Sequence, residues 1–116
     1  MTTLTISCIQ TNSVPDISEN LRSAELLIRK AKEQGAQLVV LPENIASMRH
    51  DRNMGTVPRY VESEHPAVAF FANLAHELKL WIVCGSIAVT VDSDKRTNRS
   101  LVFAPTGRSE ERRVGK

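Results

Sequence analysis

The sequence predicts an α/β fold, and three observations carry that prediction. Leu38-Val39-Val40-Leu41 is a short continuous apolar run, of the kind buried in a parallel sheet. An amphipathic helical period precedes it, and an alternating segment precedes that. A helix-then-strand pattern recurs between Glu64 and Val91.

In the opening segment Leu4, Ile6 and Cys8 alternate with Thr5 and Ser7, the period of a strand. The turn formers of Asn12–Pro15 follow, and Asp16 and Glu19 stand three apart as in a capping box. From Ile17 to Gln34, Leu21, Ala24, Leu27, Ile28 and Ala31 fall on one helical face with charges opposite. Gly35 stands at the helix exit. The run Leu38–Leu41 completes a βαβ unit, for which a right-handed crossover is expected.

Glu64-His65-Pro66 opens a second helix with proline in its first turn. Its apolar stripe is Val68, Phe71, Ala72, Ala75 and Leu78. Leu80–Val91 reads as a long strand, Asp92–Asn98 as a loop, and Ser100–Ala104 as a strand paired back in a hairpin and closed by Pro105-Thr106-Gly107. Two stretches break the regularity. Residues 44–62 show no period although they join a strand to a helix, and loops of that length are usually functional or disordered. After Gly107, SEERRV has neither alternation nor an apolar face. The regular pattern therefore covers residues 1–107, and 108–116 reads as a tail outside it, an artefact or truncation junction.

Length and composition bound the function. The chain has 116 residues, enough for one domain with a real core. Aromatics are only 4%, so that core must be built from Val, Ile, Leu and Ala. The net charge of +2 lies wholly in the last nine residues, RSEERRVGK, leaving a neutral body. A neutral body argues against nucleic-acid binding, and Arg112-Arg113 beside two glutamates does not change that. No apolar run reaches the ~18–20 residues that span a bilayer, so no membrane partner is expected. The N-terminus lacks the basic and apolar regions of a signal peptide. Cys8 and Cys84 lie in strand-like apolar contexts and read as buried free thiols of a reducing compartment, which points to the cytoplasm.

Glu43 is the candidate site residue. It follows the buried strand directly, after Pro42 ends the ladder. Open α/β sheets bind ligands beyond the carboxyl ends of their strands, and a carboxylate there can serve proton transfer. The competing reading is a loop glutamate facing water or capping a short helix. His50, His65 and His76 have no metal-site spacing. Asn98 reads as a turn residue. Arg49, Arg52 and Arg59 could meet a substrate carboxylate, or simply be solvated.

Leu38-Val-Val-Leu-Pro-Glu43-Asn44 closely resembles the first signature of the carbon–nitrogen hydrolase (nitrilase) superfamily. The strand ending at Gln10, the helix exit Glu33-Gln-Gly-Ala-Gln37, Trp81-Ile-Val-Cys-Gly-Ser86 and Asn98-Arg-Ser-Leu-Val-Phe-Ala-Pro-Thr-Gly107 are similar to that family's N-terminal half, in its order and approximate spacing. The look is nearest to the omega-amidase and deaminated-glutathione amidase branch. The resemblance implies an α-β-β-α sandwich, here incomplete, and a Glu-Lys-Cys mechanism. The glutamate takes the thiol proton, the thiolate attacks an amide or nitrile carbon, and the lysine stabilises the tetrahedral intermediate. Ammonia or an amine leaves, and water hydrolyses the thioester. Glu43 matches the general base. The resemblance implies no cofactor and no metal, a small amide or nitrile as substrate, and a homo-oligomer.

The other two catalytic members have no match. Lys116 falls near the lysine's distance but without the preceding aromatic residue and strand pattern. Cys84 lies inside a strand rather than at a turn, and Cys8 is no better placed. The chain spans roughly the first 40% of such a domain, judged against ordinary domain sizes, and alone it is expected to be inactive. The alternative is a non-catalytic α/β module that binds a ligand or partner.

Overall fold

The computed structural model describes residues 2–43, 45–46, 60–92 and 95–113. Its elements in chain order are β1 (Ile6–Cys8), α1 (Ile17–Glu33), β2 (Leu38–Leu41), a 3₁₀ turn (Glu62–Glu64), α2 (Pro66–Leu78), β3 (Trp81–Asp92), β4 (Lys95–Phe103) and β5 (Ser109–Arg113). The five strands form one sheet in sequence order. β1, β2 and β3 run parallel, while β4 and β5 add antiparallel to β3. Among the described residues no helix is long and apolar enough to cross a membrane.

Each helix starts where its sequence dictates. The Asp16 side chain accepts from the Ser18 N–H at 2.9 Å and caps α1, rather than reaching Glu19 as a full capping box would. Gly35 follows the C-cap at φ 96°, a conformation that costs glycine little. In α2, proline occupies the first turn and His65 is the N-cap, its Nδ1 accepting from the Ala67 N–H at 3.1 Å. Arg29 of α1 donates to Glu25 and to Glu77 of α2, each at 2.8 Å, tying the helices together. That hydrogen bond from Arg29 holds the Glu77 carboxyl below its ordinary value.

The two helices bury one face of the sheet. Val39, Leu41, Ile82, Cys84, Leu101 and Phe103 point into that core and meet Ala24, Ile28, Phe71 and Ala75. The opposite face has no covering layer among the described residues. On it the register aligns Ile6, Leu38 and Trp81, and then Cys8, Val40, Val83 and Val102. Ile6 is 52% and Trp81 41% exposed.

That one-sided burial corrects several expectations. Cys8 is exposed, because its face of β1 meets no second layer. β2 is buried on one face rather than both, with Leu38 and Val40 only half-buried. Leu27 stands 38% exposed at the margin of the α1 stripe, whereas Asn20 lies inside it. The loop expected over Asp92–Asn98 is shorter, since β4 begins at Lys95 and Asn98 pairs with Ala88. Beyond Gly107, where the sequence shows no strand period, the backbone forms β5. The free edge of β4 supplies the pairing, Ser109 opposite Phe103 through Arg113 opposite Arg99.

Candidate active site at the exit of β2

Pro42 ends the β2 ladder, and the chain turns at Glu43, which is exposed at the carboxyl end of the strand. Two residues further on it dives back, leaving Ile45 and Ala46 almost fully buried. The turn is thus held inside while its carboxylate stays outside.

The floor beneath it is a β-bulge. Cys84 pairs with Leu101 and Ile87 with Arg99, so Gly85 and Ser86 together oppose Ser100. The extra residue shifts the parity of β3. Ile82 and Cys84 face the core before the bulge, Ile87 and Val89 after it. At Gly85 the backbone passes so close to the β2 exit that a Cβ would lie 2.8 Å from the Pro42 carbonyl carbon. It would also lie 2.9 Å from the Glu43 nitrogen and 2.9 Å from the Leu41 oxygen. Only glycine fits there. The Ser100 hydroxyl donates to the Gly85 carbonyl at 2.5 Å and fixes the bulge from β4.

The far end of the long connection is anchored nearby. The Thr90 N–H donates to the Tyr60 carbonyl at 2.7 Å, and the Arg99 guanidinium donates to Glu62 at 3.1 Å, with both side chains largely buried. The Tyr60 and His65 rings lie 5.3 Å apart. Burial lowers the His65 pKa, so the ring is neutral, as its cap role requires of Nδ1.

Cys84 is near in sequence to the bulge but points into the helix-covered core, fully buried, and burial raises its thiol pKa. A thiol so held is no nucleophile at neutral pH. Cys8 lies on the uncovered face of the edge strand, level with Val40 and not with Glu43. His76 is exposed on α2, its Nδ1 3.3 Å from the Pro105 carbonyl. Among the described residues no three His, Cys, Asp or Glu side chains gather as metal ligands. Arg49, Arg52, Arg59, His50 and Lys116 lie outside the described residues.

Sequence reasoning missed Asn20, whose amide reaches this turn from α1. The available signal was its place on the apolar stripe, four residues before Ala24 and eight before Ile28.

The carbon–nitrogen hydrolase family profile matches residues 5–115, and so continues through β5. Among curated proteins, the deaminated glutathione amidase of Synechocystis is 30% identical over 103 residues, 87% of this chain and 37% of the relative. The omega-amidase NIT2 of Bos taurus is 34% identical over 108 residues, 92% of this chain and 38% of the relative. The crystal structure of Saccharomyces cerevisiae Nit3, a member of the nitrilase superfamily, superposes with a TM-score of 0.78 at 27% identity, covering 93% of this chain and 43% of that one. The chain therefore spans less than two-fifths of the length of these two curated relatives. With the family pattern running along nearly all of it, the chain belongs to the carbon–nitrogen hydrolase family.

Proposed function

We propose that this chain supplies the general base, Glu43, of a carbon–nitrogen hydrolase that cleaves the C–N bond of a small amide or nitrile. The observation that carries the reading is an exposed carboxylate at the carboxyl end of a parallel strand, on a backbone fixed by the Gly85 bulge. In that role Glu43 removes the proton of a cysteine thiol, and the thiolate attacks the substrate carbon. A lysine cation meets the negative charge that develops on the substrate heteroatom. The amine leaves with a proton returned by the carboxyl group, and water attacks the thioester after giving its proton to the same carboxylate. The described residues contribute the base alone. Residues 1–107 are read as the N-terminal part of the catalytic domain, with the lysine and cysteine coming from outside them.

A chimera tests this reading. Residues 1–107 are joined to the corresponding remainder of the Synechocystis deaminated glutathione amidase, where the family mechanism places the lysine and cysteine. Ammonia or amine release from amide substrates is expected, and Glu43→Gln should lower kcat by about 10²–10⁴-fold, the usual worth of a general base. A folded chimera without turnover, or one that tolerates Glu43→Gln, would favour a binding module instead.

A further inference from the structure

A buried asparagine at the start of an apolar helix stripe needs a reason, because its amide costs free energy unless every polar atom is used. Asn20 sits in α1, 4% exposed. Its Oδ1 accepts from the Val14 N–H at 2.8 Å. Its Nδ2 donates to the Val14 carbonyl at 2.6 Å and to the Ala46 carbonyl at 2.7 Å. Both amide protons are thus spent, and the opposite amide orientation would set like groups against all three partners. The β1–α1 connection and the segment three residues past Glu43 are joined through one side chain of a rigid helix.

We infer that Asn20 is a positioning residue for Glu43. The turn that carries the carboxylate is held at two points. Below it, the Gly85 backbone packs against the Pro42–Glu43 peptide. Beyond it, Asn20 pins the Ala46 carbonyl, and Ile45 is buried between. An exposed carboxylate that must meet a thiol proton at hydrogen-bond distance gains from a backbone that cannot drift, since small misplacements of a reacting group are costly. Leucine in the same place would continue the apolar stripe with a side chain of the same branching, but it would leave the turn unpinned.

The inference takes its catalytic meaning from Glu43 as the base, so its test separates the two. Hydrogen exchange followed by mass spectrometry is measured on the 116-residue chain and on Asn20→Ala and Asn20→Leu. Exchange in the peptide covering residues 42–46 should rise at least tenfold in both variants, while α2 and the β3–β4 hairpin stay within about twofold. In the chimera described above, Asn20→Leu should lower kcat at least tenfold and leave KM within about threefold. Wild-type exchange at 42–46 in Asn20→Leu would reduce the residue to packing and overturn the inference. So would a uniform rise across all segments, or an unchanged kcat in a chimera that needs Glu43. Loosening at 42–46 in a chimera that tolerates Glu43→Gln would keep the pinning and discard the base.

Discussion

A side-chain carbon on Gly85 would stand 2.9 Å from the backbone nitrogen of Glu43, closer than a real Cβ comes to any neighbour. Adjacent parallel strands meet there with no room for a methyl group, and the obstructing atoms are all backbone. Gly85→Ala should therefore destabilise the chain by about 2–3 kcal/mol, near the upper end of ordinary overpacking costs. Urea denaturation followed by the fluorescence of Trp81 reads this directly.

Ser100 supports the same bulge from the other side. Ser100→Ala removes its hydrogen bond to the Gly85 carbonyl and should cost about 1 kcal/mol. Ser100→Thr keeps the hydroxyl and should recover most of that loss in the same unfolding measurement.

Acid should weaken α2 at its start. His65 is neutral in the fold because burial lowers its pKa below the ordinary 6.5, and its Nδ1 accepts the Ala67 N–H. Between that lowered value and about 6.5 the unfolded chain binds more protons than the folded one. The stabilisation is complete above about pH 6.5 and is lost as the pH falls through the lowered value. His65→Asn keeps an N-cap acceptor without a proton site. Its urea midpoint should stay flat between pH 7.5 and pH 5, where that of the parent chain declines.

The two thiols should separate cleanly. Cys8 is exposed, while Cys84 is buried with its pKa raised. A thiol reagent at neutral pH should modify Cys8 alone in the folded chain and both residues in denaturant. Fast reaction of Cys84 in the folded state would contradict its place in the core.

The uncovered sheet face should make the isolated chain self-associate. Ile6, Leu38, Trp81, Val40 and Val83 share that face, and apolar patches of more than a few hundred Å² mark interfaces or aggregation sites. Trp81→Lys with Val83→Lys should shift sedimentation towards the monomer. A monodisperse parent monomer would contradict this.

Periodic burial explains which parts of the fold were legible. Helix α1 declared itself because Ala24, Ile28 and Ala31 repeat with the spacing of the layer they bury, and strand β2 because Leu38–Leu41 is an unbroken apolar run, although only Val39 and Leu41 are fully buried. Proline at the start of α2 marked a boundary by local chemistry that needs no partner, whereas the His65 cap showed only in the structure. Cys8 misled because alternation shows which residues share a face, but not whether a second layer covers it. Strand β5 was invisible because its pairing comes from β4's free edge and asks nothing of its own period. Asn98 looked like a turn residue, yet the hairpin extends past it.

The candidate site was half legible. Glu43 stood out because Pro42 and the apolar run fix where the strand stops. What holds Glu43 in place was hidden, since Gly85, Ser100 and Asn20 are distant in sequence and each meets the backbone of another segment. The parity change at the bulge also broke the alternation of β3, so Ile87 and Val89 gave no clear reading against Ile82 and Cys84.

The order of the sheet has a consequence in time. Ribosomal synthesis delivers β1, α1 and β2 first, when β2 has a partner on one side only. The other flank of β2 becomes available only after the long connection and α2 have been made. From β3 onwards each strand pairs with the one just completed, so that portion can zip up as it emerges. Glu43 therefore leaves the ribosome well before the glycine beneath it, and Ser100 follows that glycine fifteen residues later. The carboxylate and the Asn20 pin beyond it are the early parts of the site, and the footing beneath them is laid last.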